Sequence, residues 1–252
     1  MVFTGIMDAL AKKEGIIVCQ LMRRQLIDIC TKITQNMLPQ RCLLCGMACG
    51  SRWICVGCEE DLPRHPHAHC PVCALPTPLG ETCGECLKHP QHFDATHAAF
   101  AYAFPADALL RALKYQSRLA IAEWAALHIE LSGTRPDYLI PMPLHVNRLK
   151  TRGFNQAMEI ARALSRRYSI PLLHEAVERV RETEPQAGLP RAERTRNMRN
   201  AFACREGFSG KHVAIVDDVM TSGASLNELA RMLKKAGAMR VECLVAARTL
   251  RD

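Results

Sequence analysis

A chain of 252 residues, 48% of them hydrophobic and 23% charged, carries enough apolar material for one sizeable core and a small module beside it. It has no run of 18 apolar residues, which excludes a membrane-spanning helix. A net charge of +8 raises a polyanionic partner as one expectation and a solvated basic face as the plain alternative.

Residues 1–40 read as an N-terminal helical segment. From Leu26 onward Ile27, Ile29, Cys30, Ile33, Met37 and Leu38 suit one helix face. Met22 is an alternative start. The apolar stretch Gly15–Cys19 is short and is followed by Arg23-Arg24, the reverse of a secretory signal. The expected compartment is therefore the cytoplasm.

Residues 41–90 change character. Cysteine, proline and glycine dominate, and long apolar periodicity vanishes. Of thirteen cysteines, eight form four C-x-x-C pairs: Cys42/Cys45, Cys55/Cys58, Cys70/Cys73 and Cys83/Cys86. In a reducing cytoplasm these read as metal ligands. "CLLCGMACGSRWICVGC" and "CPVCALPTPLGETCGEC" repeat one plan, two pairs separated by nine residues. The repeat predicts two Cys₄ zinc sites paired sequentially. A cross-braced arrangement, 42/45 with 70/73, is the alternative. His65, His67 and His69 could replace a ligand, although eight cysteines suffice. Cys49 is a spare thiol, and Cys204 and Cys243 read as ordinary positions.

From residue 91 onward the pattern is α/β. "HAAFAYAF" (97–104) reads as a strand, and 106–131 as one or two helices broken near Gln116-Ser117. "DYLIPMP" (137–143) reads as a buried strand. Residues 154–168 are helical, with Phe154, Ala157, Met158, Ala161 and Leu164 on one face. "KHVAIVDD" is a strand, 224–237 a helix closed by Gly237, and "RVECLVAAR" a last strand. Alternating strands and helices predict a parallel, doubly wound sheet. The arginine-rich stretch 181–200 reads as a loop.

The sheet's chemistry concentrates after the strand at 211–218. In an open parallel sheet, ligands sit beyond the carboxyl ends of the strands. Asp217 and Asp218 lie at such an end. Backbone amides of 219–223 and the N-terminus of the helix from Ala224 make an anion cradle. Thr221, Ser222 and Ser225 add hydroxyls, and Gly223 permits close approach. A phosphate nest beside two acceptors for vicinal hydroxyls suits a ribose 5-phosphate. The bland alternative is an N-cap and turn. No G-x-x-x-x-G-K-[ST] is present, which argues against a P-loop NTPase. In "IPMPLHVNRLKTRGFNQA" (140–157), Arg148, Lys150 and Arg152 could meet a pyrophosphate, with Gly153 allowing a tight backbone; a solvated basic loop is the alternative. "RETEPQAGLPRAERTRNMRNAF" (181–202), with Arg191, Arg194, Arg196 and Arg199, could close over the anion as a lid.

The run "VAIVDDVMTSGAS" closely resembles the phosphoribosyl-pyrophosphate (PRPP) motif of type I phosphoribosyltransferases. Together with "CLLCG", "CPVC", "PLHVNRLKTRGFNQ" and "TEPQAGLPRAERTRNMRNAF", it resembles the ComF/GntX family of competence-related phosphoribosyltransferase-like proteins over about residues 38–250. The resemblance implies a type I phosphoribosyltransferase sheet behind a double zinc ribbon, with two structural Zn²⁺ ions and Mg²⁺ accompanying PRPP. It assigns the ribose hydroxyls to Asp217 and Asp218, and the 5-phosphate to Met220, Thr221, Ser222, Gly223, Ala224 and Ser225. Arg148, Lys150, Arg152 and Gly153 would form the pyrophosphate loop. Two departures are visible: the family often has Thr-Thr-Gly-x-Thr at 221–225, and often a basic residue where this chain has Asn147.

The implied role is natural competence and DNA uptake, with single-stranded DNA as a partner and a competence helicase or translocase as another. Six Arg/Lys against one Glu in 148–167, and six Arg against three Glu in 179–199, fit a polyanion. The bland reading assigns these arginines to PRPP alone. Trp53 and Phe93 are candidate stacking surfaces. The alternative function is an active phosphoribosyltransferase with an unidentified acceptor. Too few residues follow the 224–237 helix for a large C-terminal base-binding hood. Tyr102, Tyr115 and Lys114 are the weak acceptor-side candidates.

Overall fold

The structure, a computed structural model, describes residues 40–131, 133–182 and 198–250. The predicted helix over 1–40 and Arg191, Arg194 and Arg196 lie outside these residues. Two compact units are present, one ending at Glu59 and one running from Glu60 to the C-terminus.

The first unit holds the first cysteine repeat. The Cys42 amide donates to Met47 O at 2.8 Å and the Gly46 amide to Cys42 O at 3.0 Å, closing a tight knuckle. The second pair, Cys55 and Cys58, leads into a one-turn helix, α1 (Val56–Glu60).

The second unit opens with the same construction. Cys70 N donates to Leu75 O at 2.8 Å and Ala74 N to Cys70 O at 2.9 Å. The one-turn helix α2 (Gly84–Lys88) follows. Gly46 and Ala74 occupy equivalent corners with φ of +74° and +56°. This knuckle is welded to the sheet that follows. Thr96 Oγ1 donates to Val72 O at 2.6 Å, and Cys70, Cys73, Leu75 and Cys86 belong to one buried cluster with Phe93, Ile215 and Val245.

The sheet contains β1 (Ala95–Ala101), β2 (Tyr138–Pro141), β5 (His212–Met220) and β6 (Arg240–Arg248), in the order β1-β6-β5-β2 and all parallel. Apolar runs make the central strands: seven of the nine residues of β5 and eight of the nine of β6 are buried, as a sheet covered on both faces requires. On one face lie α4 (Ala120–His128) and α6 (Gln156–Tyr168), which pack on each other. On the other lies α7 (Ala224–Lys235), burying Leu226, Leu229, Ala230 and Leu233 at helical spacing. Each such leucine contributes about 1.5–3 kcal/mol by leaving water.

Several expectations shift. The first strand starts two residues earlier than read, at Ala95, and ends at Ala101. The 106–131 region is two helices, α3 (Ala106–Gln116) and α4, separated where Ser117 takes φ +54°. In α6 the buried face is Ala157, Ile160, Ala161 and Leu164; Phe154 and Met158 are only partly covered. The basic stretch read as a loop is a helix, α5 (Val146–Arg152). His145 accepts from the Asn147 amide at its start, and Gly153, at φ +81°, ends it. A small antiparallel pair, β3 (Val177–Arg179) and β4 (Phe202–Cys204), was not anticipated.

Candidate functional site

Strand β5 continues past its two carboxylates to Met220, where the sequence suggested an end at Asp218. Successive strand residues point to opposite faces. Val213 and Ile215 accordingly share the face that packs with Leu226 and Leu229 of α7, and at the strand's end the Asp217 and Asp218 carboxylates interact directly. The Asp218 amide donates to Asp217 Oδ1 at 2.9 Å, and the Val219 amide to Asp218 Oδ1 at 3.0 Å. Asp218 is 7% exposed. Burial, and then the Asp218 carboxylate, push Asp217 well above the ordinary carboxylate range; the Asp218 amide and Lys114 pull the other way.

The chain then turns through Thr221-Ser222-Gly223 into α7. Gly223 caps the helix at φ +78°, and Ser222 Oγ accepts from the Ala224 amide at 3.4 Å. A Cβ at Gly223 would stand 2.7 Å from Met220 Cε, the flexible end of that side chain, so it is the left-handed backbone that demands glycine. Asp217 and the run Val219–Leu226 line a single concave surface. The helix's first amides and the positive end of its dipole face that surface, an arrangement suited to a phosphate. The structure thus brings Asp217 together with Met220, Thr221, Ser222, Gly223, Ala224 and Ser225, and Asp218 follows next in the strand with its carboxylate a direct neighbour of Asp217.

The basic residues divide. Arg148 is half-buried and Lys150 exposed on α5, while Arg152 donates to Gln156 Oε1 at 2.7 Å. Asn147 Nδ2 donates to Glu182 Oε2 at 2.5 Å. Arg179 on β3 was not singled out in the sequence. Burial, and then the neighbouring Arg148, lower it to about 10, with Asp217 and Glu182 opposing. Arg179 lies over the Phe202 ring at 5.8 Å and feels the charges of Arg148, Asp217 and Glu182, a cation placed by the β3–β4 pair that no local motif announces. Arg199 is exposed beyond the undescribed stretch. Tyr102 is pushed up by burial and also feels Arg111, Asp107 and Asp218. Tyr115 is 71% exposed. Phe93, a candidate stacking surface, is only 2% exposed and belongs to the core; Trp53 is partly exposed.

A second missed residue is Arg248, 3% exposed at the end of β6. Its guanidinium donates to Cys73 O at 2.8 Å, to Met220 O at 3.0 Å, to Thr249 O at 2.9 Å, and to Thr221 O.

The eight cysteines form two sets, Cys42, Cys45, Cys55 and Cys58, and Cys70, Cys73, Cys83 and Cys86. Within each, all four sulfurs lie within 4.8 Å of one another. The pairing is sequential, not cross-braced. Four thiolates about 2.3 Å from a tetrahedral zinc would stand about 3.8 Å apart. Cys45–Cys55 and Cys73–Cys83 are at 3.7 and 3.6 Å, so both sets fit structural zinc. Burial raises the Cys42 and Cys70 thiols, but backbone amides aimed at the sulfurs outweigh it and bring them to about 6 and about 7. Such thiols are readily held as thiolates. Cys49 donates to Arg52 O at 2.9 Å. His65 and His69 bond the carbonyls of Ala74 and Pro66, and neither belongs to the two sulfur sets.

Comparison with known proteins agrees with this architecture. Residues 116–252 match the model of the phosphoribosyl transferase domain and residues 33–87 that of the double zinc ribbon domain. Competence protein F of Haemophilus influenzae is 31% identical over 228 residues, covering 84% of this chain and 99% of that protein. DNA utilization protein YhgH of Escherichia coli K12 is 35% identical over 225 residues, covering 84% and 99%. Competence protein ComFC of Streptococcus pneumoniae is 25% identical over 221 residues, covering 80% and 97%. The chain belongs to the competence protein F and YhgH family, the ComF/GntX family, in which a double zinc ribbon precedes a phosphoribosyl transferase domain.

Proposed function

We propose that this protein binds PRPP with Mg²⁺ at the carboxyl end of β5 and acts in the cytoplasm in competence and DNA utilisation, handling single-stranded DNA. One observation carries the reading: Asp217 and the turn Val219–Leu226 form one concave surface at the N-terminus of α7, with the second carboxylate next in the strand. The α7 amides and the hydroxyls of Thr221, Ser222 and Ser225 would take the 5-phosphate. Asp217 and Asp218 would accept from the ribose hydroxyls, and Arg148 and Lys150, with Arg179 beside them, would face the pyrophosphate. Mg²⁺ would supply charge neutralisation on the pyrophosphate oxygens. The DNA role is supported by the names of the relatives, competence protein and DNA utilization protein, and by the basic stretches 148–167 and 179–199. Among the described residues no helix is long and apolar enough to cross a membrane.

Transfer to an acceptor is the second reading, and the β3–β4 pair favours it, since it carries Arg179, a cation whose charge is felt at Asp217. In that reaction an acceptor atom attacks the anomeric carbon, the carbon–oxygen bond to pyrophosphate breaks with its electron pair, and the acceptor gives up a proton. The test is to incubate the protein with PRPP and Mg²⁺, alone and with bases, nucleotides or single-stranded DNA, and to follow binding and pyrophosphate. Saturable binding without release supports a ligand-binding protein. Acceptor-dependent release supports the transferase. No binding removes both.

A further inference from the structure

We infer that Arg248 is a positioning residue that makes the phosphate-binding turn depend on the second zinc knuckle; the inference rests on the PRPP reading above. An arginine is never uncharged in a protein and rarely tolerates burial without partners. Arg248 is almost fully buried, and its fork spans three segments far apart in sequence. Nε donates to the Cys73 carbonyl of the knuckle, and Nη1 to the carbonyls of Met220 and Thr221, where β5 becomes the turn, and of Thr249. The Cys73 carbonyl holds its place only while the Cys70–Ala74 corner is closed, and the four sulfurs gathered at that corner would hold it shut by binding a zinc ion. A second tie runs beside it: the His92 amide, just beyond the knuckle, donates to Asn227 Oδ1 of α7 at 2.6 Å. Between the ties, Phe93 and Met220 pack against Gly223, each within 4 Å of where a Cβ would stand. The turn's carbonyls are thus drawn to one side by Arg248, which leaves its amides and hydroxyls turned toward the concave surface. Lysine keeps the charge but has no planar fork to span Cys73 and the turn together.

The test uses full-length protein and compares wild type, Arg248→Lys, Cys83→Ser and, as a charge-loss control on the exposed Arg205–Glu178 pair, Arg205→Gln. Zinc content, hydrogen exchange of the 219–225 amides and PRPP·Mg²⁺ calorimetry are read for each. Arg248→Lys should keep two zinc ions yet speed exchange in 219–225 and weaken PRPP about tenfold, as loss of a hydrogen bond to a charged group does. Cys83→Ser should lose one zinc and reproduce the same local exchange change. Arg205→Gln should match wild type. If Arg248→Lys does not fold, Cys83→Ser alone decides. Unchanged exchange in 219–225, or a loss of protection spread equally over β5 and β6, overturns the inference. If wild type does not bind PRPP while the exchange pattern holds, the PRPP reading falls and the coupling stands; PRPP binding with unaltered exchange does the reverse.

Discussion

Substituting Gly223 by alanine tests whether the turn after β5 is built as tightly as its geometry demands. Gly223 sits at φ +78°, and an added Cβ would stand 2.7 Å from Met220 Cε. The left-handed backbone disfavours an L side chain by about 1–2 kcal/mol. Met220 is 2% exposed, so moving its terminal methyl pushes it off rotamer, adding about 0.5–1.5 kcal/mol. The total, about 1.5–3.5 kcal/mol, corresponds to a fall of about 3–14 °C in Tm for a domain of this size. Scanning calorimetry measures it, with Gly207→Ala as control because nothing lies within 4 Å of a Cβ there and its φ is not positive. PRPP binding should weaken in the same variant, because the amides lining the phosphate surface shift with the turn. A Gly223→Ala protein that melts with wild type and binds PRPP equally well would refute the reasoning.

Three further outcomes follow from the same structure. Burial and Asp218 raise the folded pKa of Asp217, so the folded chain keeps a proton that the unfolded chain loses as pH rises from about 4, and stability falls through that window; the Tm of Asp217→Asn minus that of wild type, without Mg²⁺ or PRPP, should be near zero in acid and grow positive toward neutrality, and a difference flat in pH would contradict it. Elemental analysis should find two zinc ions per chain, and because Cys86 shares the buried cluster of the main domain, Cys86→Ser should lose one ion and lower the Tm of that domain; fewer than one zinc in folded protein would sink the zinc assignment. Single-stranded DNA binding, read by fluorescence anisotropy, should weaken with salt at a logarithmic slope of about −0.7 per phosphate contact, and replacing Arg191, Arg194, Arg196 and Arg199 together should flatten it; no binding at low salt would assign the DNA role to a partner protein.

The parts legible in the sequence were those whose signal is local. Four C-x-x-C pairs in a repeat define two metal sites because a tetrahedral zinc needs four nearby sulfurs. A run of buried aliphatics, two aspartates and a glycine before a helical period define strand, turn and helix. The pyrophosphate stretch hid its helix because α5 buries no residue and so has no apolar period; its boundaries rest on His145 and Gly153. Strands β3 and β4 are three residues each, too short for alternation to register. Arg179 and Arg248 were invisible for another reason. Arg179 meets the Phe202 ring and Arg248 the carbonyls of Cys73 and Met220, all more than twenty residues away in sequence, and an arginine at a strand end otherwise reads as a solvated terminus.

The most direct test of the account is isothermal calorimetry of PRPP with Mg²⁺ on wild type, Asp217→Asn and Asp218→Asn. Each variant replaces a charged acceptor of a ribose hydroxyl, a bond contributing about 1.5–3 kcal/mol. Wild type should bind one PRPP per chain, and each variant about tenfold to a hundredfold more weakly while remaining folded. Wild type giving no binding heat, or both variants binding as tightly as wild type at matched Mg²⁺, would contradict the claim that the carboxyl end of β5 is a PRPP site.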